Sequence, residues 1–200
     1  MCGIIGYYGQ HPASKILIDG LKRLEYRGYD SSGLCLVEDN KLVCYKQAGP
    51  VTYLEGAIAH QDLKIHIVIA HTRWATHGAP NEINPHPHFD CHHQIAIVHN
   101  GIIENYLDIK SQLEEEGHVF KSDTDTEVIP HLIEKYMDKG FDLEDAVRET
   151  IGIIHGAYAI AAVSKNEPDK IIATRKDSPL IVGIGEDGYY LASDSPAILE

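Results

Sequence analysis

Three short segments of this chain are apolar at nearly every position instead of alternating: Ile65-His66-Ile67-Val68-Ile69-Ala70, Ile95-Ala96-Ile97-Val98 and Ala157-Tyr158-Ala159-Ile160-Ala161-Ala162. A strand with one wet face alternates apolar and polar side chains, so runs of this kind predict strands covered on both faces. Leu34 to Val37 and Leu42 to Lys46 flank Glu38-Asp39-Asn40, and Leu180 to Gly185 meets Tyr189 to Ala192 across Glu186-Asp187-Gly188. Both are hairpin signals, and such short connections favour antiparallel pairing. Apolar residues three or four apart predict helices through Ile16, Leu17, Leu21 and Leu24, and through Val128, Ile129, Leu132, Ile133 and Tyr136. Thr124 and Glu127 fit a capping box for the second of these, and Gly140 a stop. Asp142 is the expected N-cap of a third helix over 142–151, with Leu143, Ala146, Val147 and Thr150 on one face, and 105–116 is a fourth. Helices grouped between sets of doubly covered antiparallel strands predict two stacked sheets with helices on both outsides, an αββα sandwich of the α+β class.

Two hundred residues are enough for one large domain with its own core. No repeat, low-complexity stretch or linker divides the chain, and the Pro/His/Asn-rich loop from Pro80 to Pro87 is too short to do so. A formal net charge of −13, with no basic run, disfavours nucleic acid and anionic membranes as partners. Cys35 and Cys44 lie in apolar runs and are expected as small buried thiols, and no CxxC spacing occurs, which fits a reducing compartment. Gly6, Tyr8, Gly9 and Gln10 interrupt the N-terminal apolar stretch before it resembles a signal peptide, so the expected address is the cytoplasm.

Cys2 follows the initiator Met1, so removal of one residue makes it N-terminal, with a thiol and a free α-amine together. An α-amine has a reference pKa of about 7.7 to 8.0, which makes it a usable base beside a nucleophilic sulfur at neutral pH. A thiol attacking an amide also needs donors for the oxyanion and charges that orient the substrate. His99-Asn100-Gly101 directly follows a buried strand and offers a side-chain amide and a backbone N–H, although the Asn-Gly pair by itself reads equally as a turn. His71-Thr72-Arg73-Trp74-Ala75-Thr76-His77-Gly78 starts where another buried strand ends, and Arg73 is either a bidentate clamp for a carboxylate or, by residue type alone, a surface arginine covering apolar area with its stem. Ser122-Asp123-Thr124-Asp125-Thr126-Glu127 places carboxylates at a helix start, where capping alone would account for Asp123 and Asp125. The segment His86-Pro87-His88-Phe89-Asp90-Cys91-His92-His93 contains transition-metal ligands, but its prolines and tight spacing match no structural-zinc pattern, and no metal is expected.

Taken together, Cys2-Gly3-Ile4-Ile5-Gly6, Leu24-Glu25-Tyr26-Arg27-Gly28-Tyr29-Asp30-Ser31, the His71 to Gly78 segment, His99-Asn100-Gly101-Ile102-Ile103-Glu104-Asn105 and Thr124-Asp125-Thr126-Glu127 resemble the glutaminase domain of the glucosamine-6-phosphate synthase family, over nearly the whole chain. That family belongs to the class II glutamine amidotransferases, N-terminal-nucleophile hydrolases with an αββα fold. The resemblance implies that Cys2 is the nucleophile, its α-amine the base, and Asn100 with Gly101 the oxyanion hole. It further implies that Arg73 binds the α-carboxylate of L-glutamine and Asp125 its α-ammonium, that Thr76 and His77 line the pocket, and that Trp74 is a mobile aromatic near the ammonia exit. Arg27 matches an arginine supporting the N-terminal site, and His86 lies in the loop near the pocket. No cofactor is implied. The resemblance makes 2–200 a glutaminase domain lacking its last strands and the C-terminal isomerase domains that carry ammonia to fructose 6-phosphate, and makes the full-length protein a homo-oligomer. The His71 to Gly78 segment resembles this sugar-phosphate branch, not the phosphoribosyl or asparagine-forming ones.

Overall fold

The computed structural model describes residues 2–10, 14–61, 66–75 and 81–199. Among the described residues, ten strands form two antiparallel sheets. In chain order they are β1 (Gly3–Gly9), β2 (Ser31–Glu38), β3 (Lys41–Ala48), β4 (Ile67–Arg73), β5 (His88–Phe89), β6 (Ile95–Gly101), β7 (Tyr158–Ser164), β8 (Glu167–Lys176), β9 (Ile181–Ile184) and β10 (Gly188–Ala192). The helices are α1 (Ser14–Leu24), α2 (Val51–Ile58), α3 (Tyr106–Glu115), α4 (Val128–Met137) and α5 (Leu143–Ile151). One sheet has the order β3-β2-β4-β1-β10-β9 and the other β5-β6-β7-β8.

The doubly apolar runs are explained by three separate cores. Along β4, Val68 and Ala70 pack under α1 and α2 with Leu17, Leu21 and Leu54, while Ile67 and Ile69 turn to the opposite sheet. Along β6, Ile95 and Ile97 meet Ile109, Ile129 and Ile133 of the other helical layer, while Ala96 and Val98 face inward. Strand β7 divides in the same way, with Ile160 and Ala162 outward and Ala159, Ala161 and Val163 inward. The αββα sandwich is therefore present, and β4, β6 and β7 are dry on both faces. The run predicted from Ile65 begins as β4 at Ile67; Ile65 lies outside the described residues.

Both predicted hairpins form, with Glu38 opposite Lys41 and Tyr189 opposite Ile184. Asp142 caps α5 by accepting the Asp145 N–H at 2.9 Å, and Leu143, Ala146, Val147 and Thr150 are its buried face. The Thr124–Glu127 capping box does not form. Thr124 makes no capping bond, and Glu127 accepts instead from the Lys121 N–H at 2.9 Å and from the Ser122 N–H and hydroxyl, each at 2.6 Å. A 3-10 turn over Asp125–Glu127 intervenes before α4, so the carboxylate is spent on the preceding loop. The expectation of two buried thiols also needs correction, because Cys35 and Cys44 are joined in a disulfide. They are directly opposed in the β2/β3 pair, a placement that brings their side chains together on one face. That pairing removes the cysteine argument for a reducing compartment. No helix among the described residues is long and apolar enough to cross a membrane.

Candidate active site

The pairing of β1 with β4 sets Gly3 opposite Thr72, which leaves Cys2 beside the end of β4 where Arg73 and Trp74 follow. Strand β6, from the other sheet, ends at Asn100 and Gly101. Cys2, Arg73, Trp74, His86, His99, Gly101, Thr124, Asp125 and Thr126 line one small cleft across these strand ends. Asn100 reaches the same place, since its Nδ2 donates to the Cys2 carbonyl at 3.1 Å.

The Cys2 sulfur touches the backbone of Trp74, accepting its N–H at 3.3 Å and lying 3.5 Å from its carbonyl. Burial raises the thiol above its ordinary range, against the lowering effect of Trp74 and the Arg73 charge. The sulfur is therefore protonated at neutral pH and needs a base before it attacks. The nearby histidines are poor candidates for that base. Burial lowers His71 to about 3 and His99 to about 4, and pushes His86 well below the usual imidazole range.

Their role in the fold is orientation. His71 Nε2 lies 3.0 Å from both the His99 carbonyl and Asn100 Oδ1, two acceptors that fix the proton on Nε2. With Oδ1 held by that donor, the Asn100 amide nitrogen must face the Cys2 end of the cleft. His86 stacks on His71 with ring centroids 4.0 Å apart, and its Nε2 meets Thr126 Oγ1 at 3.2 Å. His99 Nδ1 meets the same hydroxyl at 2.9 Å. Asp125 accepts the Ile103 N–H at 2.7 Å, which pins its carboxylate between the start of the α4 segment and the strand end after Gly101. Gly101 has φ +136°, and a Cβ there would lie 2.0 Å from the Ala157 carbonyl, so only glycine fits.

Of the residues singled out in the sequence, Cys2, Asn100, Gly101, Arg73, Trp74, Asp125 and His86 are brought together. Thr76 and His77 lie outside the described residues. The Trp74 ring is half exposed and packs edge-on against Tyr29, so its contact with Cys2 is made by backbone alone. Arg27 stands one step away: it binds the Ser193 carbonyl at 3.2 Å and pairs with Asp194 at 3.1 Å. Ser193 in turn bonds the Ile4 N–H at 2.9 Å, which ties this arginine to the start of β1. Sequence reading assigned no role to His71, His99 or Thr126, and it overlooked Asp30, whose carboxylate accepts from the Ala75 N–H and the Ser31 hydroxyl. The signal available was position, because His71 and His99 lie near the ends of two doubly buried strands.

A family model described as a glutamine amidotransferase domain matches residues 71–200. The glutamine–fructose-6-phosphate aminotransferase [isomerizing] of Clostridium perfringens is 53% identical over 199 residues, covering all of this chain and 32% of that protein. The enzyme of the same name from Methanothermobacter thermautotrophicus is 54% identical over 200 residues, covering all of this chain and 34% of that protein. The chain thus spans about a third of the length of the curated relatives it matches. Among solved structures, the glutamine phosphoribosylpyrophosphate amidotransferase of B. subtilis superposes with a TM-score of 0.85 at 29% identity, over 98% of this chain and 42% of that one. A glutamine aminotransferase class-II domain protein from Silicibacter pomeroyi shares the fold, with a TM-score of 0.65 at 14% identity over 96% of this chain and 88% of that one.

Proposed function

Because this chain belongs to the glutamine amidotransferase domain family, we propose that the cleft at Cys2 hydrolyses L-glutamine to glutamate and ammonia. The observation that carries the reading is the meeting of a thiol, an oriented carboxamide, a buried guanidinium and a buried carboxylate at one cleft. A free amino acid presents an α-carboxylate and an α-ammonium, and Arg73 and Asp125 are the complementary charges. Arg73 offers the carboxylate a bidentate donor. Asp125 faces the ammonium with a carboxylate already fixed by Ile103.

With Met1 removed, the Cys2 α-amine takes the thiol proton, and the sulfur attacks the side-chain amide carbon. The Asn100 amide, which spends one N–H on the Cys2 carbonyl, gives its other to the oxyanion together with the Gly101 N–H. The same amine protonates the departing nitrogen, releasing ammonia and a γ-glutamyl thioester. Water then attacks the thioester, with the amine as base, and glutamate leaves. Thr76 and His77 line the pocket in this proposal, Trp74 stands near the ammonia exit, Arg27 steadies β1 and His86 holds the Thr126 side. No cofactor enters the chemistry.

For the longer protein we propose fructose 6-phosphate as the ammonia acceptor, in the cytoplasm, within a homo-oligomer. The acceptor rests on identities near half to relatives whose names carry that sugar phosphate, against 29% to the phosphoribosyl enzyme.

The test is glutamate release from L-glutamine by protein whose intact mass shows loss of Met1. Equal yields of glutamate and ammonia are expected; folded, processed protein that releases neither would refute the reading. Asn100→Ala should lower kcat on the order of a hundredfold with a smaller change in KM, because the lost donor serves the oxyanion more than the bound amide. An unchanged kcat removes Asn100 from that role.

A further inference from the structure

A second cluster of reactive side chains lies on the outer side of the four-stranded sheet. Cys91 follows β5, His118 follows α3, and His131 and Glu134 project from α4 one turn apart. Four of their atoms converge. Cys91 Sγ lies 3.6 Å from His118 Nδ1 and 3.4 Å from His131 Nδ1, and the two ring nitrogens are 3.2 Å apart. Glu134 Oε2 lies 3.0 Å from His118 Nδ1 and 3.5 Å from His131 Nδ1.

These separations are those of ligands on one tetrahedral ion. Bonds of about 2.3 Å to sulfur and about 2.0 to 2.1 Å to nitrogen and oxygen place neighbouring ligand atoms about 3.6 Å apart for S and N and about 3.3 Å apart for N and N or N and O. A hydrogen-bonded cluster accounts for the arrangement less well. Both imidazoles turn the same nitrogen toward the same carboxylate oxygen and the same sulfur, and that oxygen also accepts the Cys91 N–H at 3.3 Å. One cation at the centre satisfies both nitrogens, the sulfur and the oxygen at once.

We propose that Cys91, His118, His131 and Glu134 form a structural site for a divalent zinc-like cation. A thiolate, two imidazoles and a carboxylate suit zinc over harder cations, and four protein ligands leave no open position for chemistry. Binding displaces the Cys91 thiol proton to solvent. The surroundings orient the ligands: Glu134 Oε1 is held by His92 Nδ1 at 2.7 Å, and the Glu127 carboxylate stands 3.7 Å from His131 Nε2. His131 and Glu134 are buried, while Cys91 and His118 lie at the rim, which gives an ion a way in. The ion joins the β5–β6 connection, the loop after α3, and α4. It thereby braces the helix that follows the Asp125–Glu127 turn. Sequence spacing concealed the site because only Cys91 belongs to the histidine-rich segment; its partners follow 27, 40 and 43 residues later.

The experiment is metal analysis and cobalt spectroscopy on the untagged chain under reducing conditions. Purified protein should carry about one zinc per chain. After chelation, Co²⁺ should produce thiolate-to-metal absorption and tetrahedral d–d bands that saturate at one equivalent. Cys91→Ser should remove the thiolate band, and zinc should raise the Tm of the apoprotein by about 10 °C. His118→Gln, at the rim, keeps the test decisive if the cysteine variant unfolds, and should weaken cobalt binding by at least about tenfold. Folded wild-type protein that acquires neither zinc nor the cobalt bands overturns the proposal. So does a Cys91→Ser spectrum identical to the wild type, or cobalt affinity unchanged in His118→Gln.

Discussion

Cys2→Ala is expected to reduce glutamate release from L-glutamine by more than about a thousandfold, to background, while the chain stays folded. The two halves of that expectation have separate grounds. Cys2 is partly buried and precedes β1, and its sulfur hydrogen-bonds the Trp74 backbone. Truncation to Ala therefore removes little packing, and stability should move by about 1 kcal/mol or less. The thiol is nevertheless the one nucleophile among the described residues lining the cleft that can form the thioester; Thr124 and Thr126 hydroxyls are committed to histidines at 3.2 and 2.9 Å. Retaining Met1 isolates the base from the nucleophile, since it keeps the sulfur but moves the α-amine to another residue. That form should be as inactive as Cys2→Ala, because the lowered histidines cannot replace the amine. Near-normal turnover by either protein, with mass and circular dichroism confirming its state, would falsify the assignment of Cys2.

Legibility followed the physics of each feature. The sandwich was readable because burial on both faces leaves a continuous apolar run, and β4, β6 and β7 carry one each. Strands β1 and β8 carry no such clean run: β1 is broken by Gly6, and β8 includes Pro168 and an outer row of half-exposed polar residues. Helix α2 went unseen because its eight residues hold only three buried positions, Val51, Leu54 and Ile58. The cleft's charged and nucleophilic residues were readable as motif segments at strand ends. What held them was not, because His71, His99 and Thr126 act through contacts spanning some 27 to 29 residues of sequence. The capping box failed for a related reason: Glu127 has better partners in a loop that local pattern cannot place.

The buried histidines make a second large effect, acid sensitivity well above the carboxylate range. His71 and His99 have their pKa lowered by burial from 6.5 to about 3 and about 4. Below about pH 6.5 the unfolded chain takes up protons at these two positions and the folded chain does not, so stability falls as pH drops. The contribution is complete above pH 6.5 and is lost progressively toward the folded values. Between pH 7.5 and pH 5 each histidine costs about 2 kcal/mol, and the pair about 4 kcal/mol, a large part of the roughly 5 to 15 kcal/mol that holds a domain together. His86 and His88, also lowered by burial, add in the same direction. His92, raised by its bond to Glu134, and, in metal-free protein, His131, raised by Glu127 and Glu134 against its burial, work the other way. The raw slope therefore mixes opposing groups, and a variant is needed to isolate one. Asn at position 99 retains a polar atom near the place of Nδ1 but has nothing to titrate. Urea unfolding of His99→Asn should show a pH 7.5-to-5 difference smaller than the wild type by about 2 kcal/mol. Any cavity left by the smaller side chain cancels, since each protein is compared with itself. Equal differences in the two proteins would mean that His99 takes up its proton in the folded state, and the neutral imidazole assigned to its bond with Thr126 would have to be abandoned.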